Sequence, residues 1–107
     1  MFLTGFSAGA FFIQGFNYHY PSYVSGLSIL SPGLYFNPAE FPSLIPIAVV
    51  IGEADDRRSV DTSQLFADEL KKYGFDVQYE RLPGVGHTVT KKGVDITIGL
   101  FRETISK

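Results

Sequence analysis

Cysteine is absent from this 107-residue chain, which excludes disulfide staples and thiolate chemistry. Histidine is nearly as scarce, and the two present, His19 and His87, lack the spacing of zinc ligands, so no metal site is expected. Excess charge of one sign is also missing. With a formal net charge of −2 and scattered Lys and Arg, no basic stripe is available to neutralise a phosphate backbone, and nucleic acid is not an expected partner. Long hydrophobic runs are lacking too: the longest, Ile45 to Ile51, is interrupted by Pro46 and is too short to span a bilayer, so no membrane partner is expected. A basic leader with a small-residue cleavage site is not seen, and a cytoplasmic location is the default expectation. Internal repeats, low-complexity tracts and linkers are absent, which predicts a single domain over residues 1–107 with a modest core.

What is present begins at the start of the chain. Gly5-Phe6-Ser7-Ala8-Gly9 is a G-x-S-x-G pentapeptide between an apolar run and a predicted helix. In a sharp strand-to-helix turn such a serine is held in a strained conformation with its hydroxyl exposed, and the flanking glycines are expected to avoid a Cβ collision with neighbouring backbone. The first amides of the following helix then converge on one spot, where a developing anionic oxygen is stabilised by free N–H groups and the helix dipole. The simpler alternative for Ser7 is an ordinary helix N-cap.

The rest of the chain alternates strand and helix signals. Met1 to Thr4 predicts the end of a buried strand, and Ala8 to Tyr20 a helix that stops before Pro21. Phe11, Phe12 and Phe16 are expected in the core. Val24 to Leu30 reads as a strand running into the Ser31-Pro32-Gly33 turn, followed by a proline-punctuated loop. Tyr35, Phe36 and Phe41 of that loop are expected to line or cover a site. Ile47 to Ile51 is apolar without alternation, as in a parallel strand covered on both faces. Asp61, with Gln64 three positions on, predicts a helix start, and Leu65, Phe66, Leu70 and Tyr73 its apolar stripe, with Gly74 as the stop. Val77 to Leu82 alternates in the manner of a strand near an edge. Val94, Ile98, Phe101 and Ile105 predict the buried face of a final helix, with Lys107 favourable at its negative end.

The resulting order, β-α-β-loop-β-α-β-α, is that of an α/β fold with about four mostly parallel strands and helices on both faces. Parallel strands joined by right-handed crossovers open their carboxyl ends on one edge, where ligands bind. Ser7, the Asp55-Asp56 pair and His87 all fall on that edge. For each of these residues a bland role is available: the four charges of Asp55-Asp56-Arg57-Arg58 can pair in a solvated turn, and His87 can simply fill a loop. His19, between two tyrosines, reads as a surface aromatic, and Lys91-Lys92 as a solvent-facing helix start.

With these residues in place, the chain resembles the C-terminal half of an α/β-hydrolase, in texture similar to carboxylesterases of the dienelactone hydrolase and polyhydroxyalkanoate depolymerase type. Leu3 to Ala10 looks like the family's elbow, Tyr20-Pro21-Ser22-Tyr23 like the close of its helix, Gly52-Glu53-Ala54-Asp55 like its acid loop, and Gly84-Val85-Gly86-His87 like its histidine loop. The resemblance implies a cofactor-free serine esterase acting on small uncharged esters through an acyl-enzyme. Ser7 would be the nucleophile, His87 the general base and acid, Asp55 (with Asp56 as the competing choice) the orienting acid, and Ala8 an oxyanion amide.

The same resemblance implies further strands before the elbow and a second oxyanion amide that this chain does not contain. Two consequences are expected. The strand before Ser7 would lie on an exposed hydrophobic edge, which predicts a homodimer or higher oligomer. The alternative function is a catalytically silent remnant that keeps the triad residues and acts by oligomerising or binding a partner.

Overall fold

The computed structural model describes residues 1–106; Lys107 and its expected role at a helix end lie outside the described residues. The elements are β1 (Phe2–Phe6), α1 (Ala8–His19), β2 (Gly26–Leu30), β3 (Ile47–Gly52), α2 (Arg57–Lys72), β4 (Val77–Leu82) and α3 (Lys91–Ile105), with single 3₁₀ turns at Pro21–Tyr23 and Pro38–Glu40. All three strand pairings are parallel, and the spatial order is β1-β2-β3-β4. This is the expected α/β arrangement. Among the described residues no helix is long and apolar enough to cross a membrane.

Strand alternation distributes the apolar side chains to two cores. Leu27, Ile29, Ile47 and Val49 meet Ala10 and Ile13 of α1 and Phe66 and Leu70 of α2 on one face. Leu30, Ala48 and Val50 meet Ile96 and Leu100 of α3 on the other. β2 and β3 are buried along their whole length, which is why Ile47 to Ile51 shows no polar alternation. β4 alternates because it lies at an edge, with Gln78 and Arg81 exposed. Ser28, the one hydroxyl within β2, is buried and is satisfied by Thr97 Oγ1 at 2.7 Å.

Several expectations are corrected in detail. α2 starts four residues before Asp61: Asp56 is its N-cap, accepting from Arg58 N and Ser59 N. Asp61 instead pairs with Arg57 one turn away, at 3.8 Å on the exposed face. Of the stripe expected on α2, Phe66 and Leu70 are buried, whereas Leu65 and Tyr73 are exposed; Val60, Ser63 and Ala67 complete the inner face. The face expected to be buried on α3 is inverted. Gly93, Ile96 and Leu100 point at the sheet, while Val94, Ile98, Phe101 and Ile105 form an exposed strip. Two apolar rows one residue apart both satisfy a helical period, and only packing against Leu30 and Val50 selects between them.

On α1, Phe16 packs against the core but Phe12 is 70% exposed and Phe11 lies at the surface. The inner face of the helix is Ala10, Ile13, Gln14 and Asn17. Gln14 is buried as a loop anchor, accepting from Phe36 N at 2.8 Å and donating to Leu34 O at 3.3 Å. In the loop itself, Phe41 is core and Tyr35 stacks on Phe66 with ring centroids 4.4 Å apart. None of Tyr35, Phe36 and Phe41 lines the depression beside Ser7, which the loop borders through Gly33 and Leu34; Phe36 packs on Phe11 instead.

Candidate active site

The site is built on the end of β1. Ser7 has φ 57° and ψ −118°, a region that costs a non-glycine residue about 1–3 kcal/mol and persists only when its surroundings enforce it. The enforcement is visible: Ser7 N–H donates to Leu30 O of β2 at 2.9 Å, and Ser7 O accepts from Ala10 N and Phe11 N as α1 begins. Ser7 makes no side-chain cap bond to its helix, so the ordinary N-cap role does not apply. A Cβ on Gly5 would lie 2.4 Å from Gly9 O, and the turn could not close. A Cβ on Gly9 would meet nothing within 4 Å, which corrects the expectation that both flanking glycines are sterically required.

The acid comes from the turn after β3. Asp55 N–H donates to Gly52 O, while Glu53 N donates to Leu82 O at the end of β4 at 2.9 Å and Ala54 N to Val85 O of the histidine loop at 2.8 Å. The two loops are thus fastened to each other before their side chains meet. Gly52 permits this approach, since a Cβ there would be 2.1 Å from Val85 O. The sequence signal for the contact was the glycine of Gly52-x-x-Asp55.

The side chains converge. His87 Nε2 lies 2.9 Å from Ser7 Oγ, and His87 Nδ1 lies 2.9 Å from Asp55 Oδ2. A carboxylate only accepts, so Nδ1 carries the proton and Nε2 is left to accept from the serine hydroxyl. Asp55 is 5% exposed at its side chain against 47% for His87, which places the orienting group inside and the reacting groups at the surface. The Phe6 ring lies 4.9 Å from the imidazole and walls one side. Asp56, the competing acid, is turned away to cap α2. His19 sits at the far end of α1, between the Tyr18 and Tyr20 rings, and is not brought to the site.

The amides of Ala8 and Gly9, in the first turn of α1, have no carbonyl partner among the described residues, as expected of helix N-terminal groups. A depression of about 290 Å³ adjoins them, lined by Ser7, Ala8, Phe11, Gly33 and Leu34. Gly33 and Leu34 are the site residues that sequence reading missed; both follow Ser31, whose φ of 47° turns the chain after β2. Among the described residues no cluster of three or more His, Cys, Asp and Glu side chains has the geometry to hold a metal ion.

No family model and no curated protein matches the chain. Solved structures do. The chain overlays on esterase PE8 with a TM-score of 0.81 and 28% identity, over 96% of its own length and 49% of that structure. It matches Arabidopsis thaliana SOBER1 with a TM-score of 0.81 at 23% identity, over 97% of this chain and 52% of that one. A phospholipase/carboxylesterase from Dyadobacter fermentans matches with a TM-score of 0.74 at 18% identity, over 94% and 51%. The last two are likenesses of fold, and the chain spans about half the length of each of the three. The overlap with an esterase structure, together with the strained serine turn at the head of the first helix, shows that the chain has the α/β-hydrolase fold, of which it represents about half.

Proposed function

We propose that this chain carries the catalytic residues of a serine carboxylesterase that acts through an acyl-enzyme on small uncharged esters. The observation that carries the reading is the unbroken relay from Ser7 Oγ through His87 to Asp55, with both links at 2.9 Å. In the proposed reaction Ser7 Oγ attacks the ester carbonyl while His87 Nε2 takes its proton. The carbonyl oxygen becomes an oxyanion facing the Ala8 amide. Collapse of the tetrahedral species breaks the bond to the alcohol, which leaves with the proton from His87, and water activated by the same imidazole then releases the acid and restores Ser7. Asp55 holds Nδ1–H and stabilises the imidazolium in both halves. No step calls for a cofactor. An uncharged substrate is supported by the depression beside Ser7, whose lining contains no charged side chain.

A second reading, a silent remnant that keeps the relay, is supported by the chain spanning only about half of each structure it overlays. Loss of one oxyanion donor costs about 10²- to 10³-fold in rate, so the two readings differ in turnover and not in architecture. The experiment is hydrolysis of p-nitrophenyl acetate by the protein and by Ser7→Ala, alongside labelling with a fluorophosphonate. Turnover and labelling that both vanish in Ser7→Ala are expected. Equal rates in the two proteins, with no label on Ser7, would hand the assignment to the silent reading.

A further inference from the structure

Gln14 is a long amide on the inner face of α1, beside Ala10, Ile13 and Asn17, and none of it reaches solvent. A buried amide is costly unless its polar atoms are matched, and those of Gln14 are. Nε2 donates to Ala10 O of its own helix at 3.1 Å and to Leu34 O at 3.3 Å, while Oε1 accepts from Phe36 N at 2.8 Å. The side chain thus takes the C=O of one residue and the N–H of the next but one, bracketing Tyr35 as the backbone of a neighbouring strand would. Asn17 on the same face is a contrast: neither polar atom of its side chain has a partner among the described residues.

The segment held in this way borders the serine. Ser7, Ala8 and Phe11 contribute to the depression from the head of α1, and Gly33 and Leu34 contribute from the loop. The neighbours of Leu34 are fixed by rings, Tyr35 on Phe66 at 4.4 Å and Phe36 on Phe11 at 5.2 Å. Leu34 itself belongs to neither core, so its place is set through its backbone, whose carbonyl is the group that Gln14 holds. Ser7 and Gln14 are seven residues apart, which is two helical turns and puts them on one side of α1, about 10 Å apart along the axis. The helix that presents the nucleophile therefore also carries the amide that fixes the loop wall, and one rigid element sets the spacing between them.

We propose that Gln14 is a positioning residue that sets the acyl-chain selectivity of the site, by holding Leu34 at a fixed distance from Ser7 and Phe11. The proposal rests on the esterase reading. Ser7 and Ala8, which take the ester carbonyl in that reading, line the same depression as Phe11 and Leu34, so the substituent on that carbonyl meets both apolar side chains. A short acyl group fits between them, and a longer one needs Leu34 to move. Gln14 touches neither substrate nor the reacting atoms; it acts through the Leu34 carbonyl and the Phe36 amide. Released from it, the wall yields and the preference for short chains relaxes.

The experiment measures kcat/KM of the intact chain on p-nitrophenyl acetate, butyrate and octanoate, which share one leaving group. The parent is expected to favour the two short esters. In Gln14→Leu the butyrate-to-octanoate ratio is expected to fall about tenfold or more, the scale of methylene discrimination by an apolar pocket, with the change mostly in KM. Leu34→Ala should give the same shift without touching the anchor, and the double variant should shift no further, because the two act on one wall. Asn17→Leu, which removes an amide that holds nothing, is expected to leave the ratio in place. Hydrogen exchange reads the anchor without turnover: the Phe36 amide is expected to be protected in the parent and to exchange freely in Gln14→Leu. Gln14→Met, of similar length, stands in if circular dichroism shows Gln14→Leu unfolded. Turnover that depends on Ser7 together with an unmoved ratio, a Phe36 amide that stays protected, or additive shifts in the double variant would each overturn the proposal and leave the esterase reading standing. A parent without Ser7-dependent turnover would remove both.

Discussion

Two glycines four positions apart look equivalent in a G-x-S-x-G motif, and their surroundings separate them. Gly5 faces the carbonyl of Gly9 at a distance no Cβ tolerates, whereas Gly9 points into open space on the first turn of α1. Gly5→Ala is expected to break the elbow, with loss of fluorophosphonate labelling and a clearly lowered melting temperature. Gly9→Ala is expected to raise stability by about 0.5–1 kcal/mol, because alanine removes the entropy cost of glycine within a helix. Thermal melts of the two variants beside the parent decide it; a loss in both would mean that Gly9 is needed for something the packing does not show. The motif pointed to Ser7 through its pattern alone. Its strained φ and its missing cap bond became visible only with the backbone in place.

At the scale of an element, the start of α2 divides two adjacent aspartates between two tasks. Asp56 spends its side chain on the amides of Arg58 and Ser59, and Asp55 turns inward to His87. Asp56→Ala is expected to cost about 1 kcal/mol of stability, as other lost caps do, and to leave esterase turnover close to the parent. Asp55→Asn keeps the shape but presents an amide where an acceptor-only group is needed, and a fall in kcat of roughly 10⁴-fold is expected. Measuring kcat and unfolding midpoint on both variants gives opposite patterns if the division holds. Sequence spacing favoured Asp55 through Gly52-x-x-Asp55, but it also set the helix start at Asp61. Both Asp56 and Asp61 are good caps, and the fold chose the one that lets the acid loop bond to Leu82 and Val85 first. The inverted face of α3 has the same origin, since local periodicity offers two rows and long-range packing selects one.

For the molecule as a whole, two phenols under the α2 layer tie stability to alkaline pH. Burial pushes both the Tyr35 and the Tyr79 hydroxyl above the ordinary 10.0. Tyr79 also shares a 2.7 Å hydrogen bond with Ser63, while the Tyr35 hydroxyl has no partner. Above pH 10 the unfolded chain has released these protons and the folded chain still holds them, so the unfolded state binds fewer protons and stability falls as pH rises. The expected result is a urea midpoint that drops as pH rises above about 10, with a shallower drop in Tyr35→Phe. Because the Tyr35 hydroxyl is unpaired, the same variant should lose little at neutral pH. An identical pH slope in Tyr35→Phe would remove that phenol from the account. No local pattern marks Tyr35 for this role; its place in the loop suggested a site lining, and its stacking on Phe66 is a contact between distant segments.

The sequence by itself determined the order of elements, the parallel class of the sheet, and that Ser7, the Asp55-Asp56 pair and His87 fall at its carboxyl edge. These follow from short-range physics: hydrophobic period, glycine and proline at turns, and the rule that parallel strands open their loops on one side. Tertiary structure alone decided which apolar row of α3 is buried, which aspartate caps and which orients, why Gly52 cannot carry a side chain, and that Gly33 and Leu34 flank the serine. Each depends on groups many residues apart approaching to within contact distance, as Val85 O does to Gly52. That approach is set by the packing of two layers on one sheet, and packing is a property of the assembled chain that no local window of sequence contains.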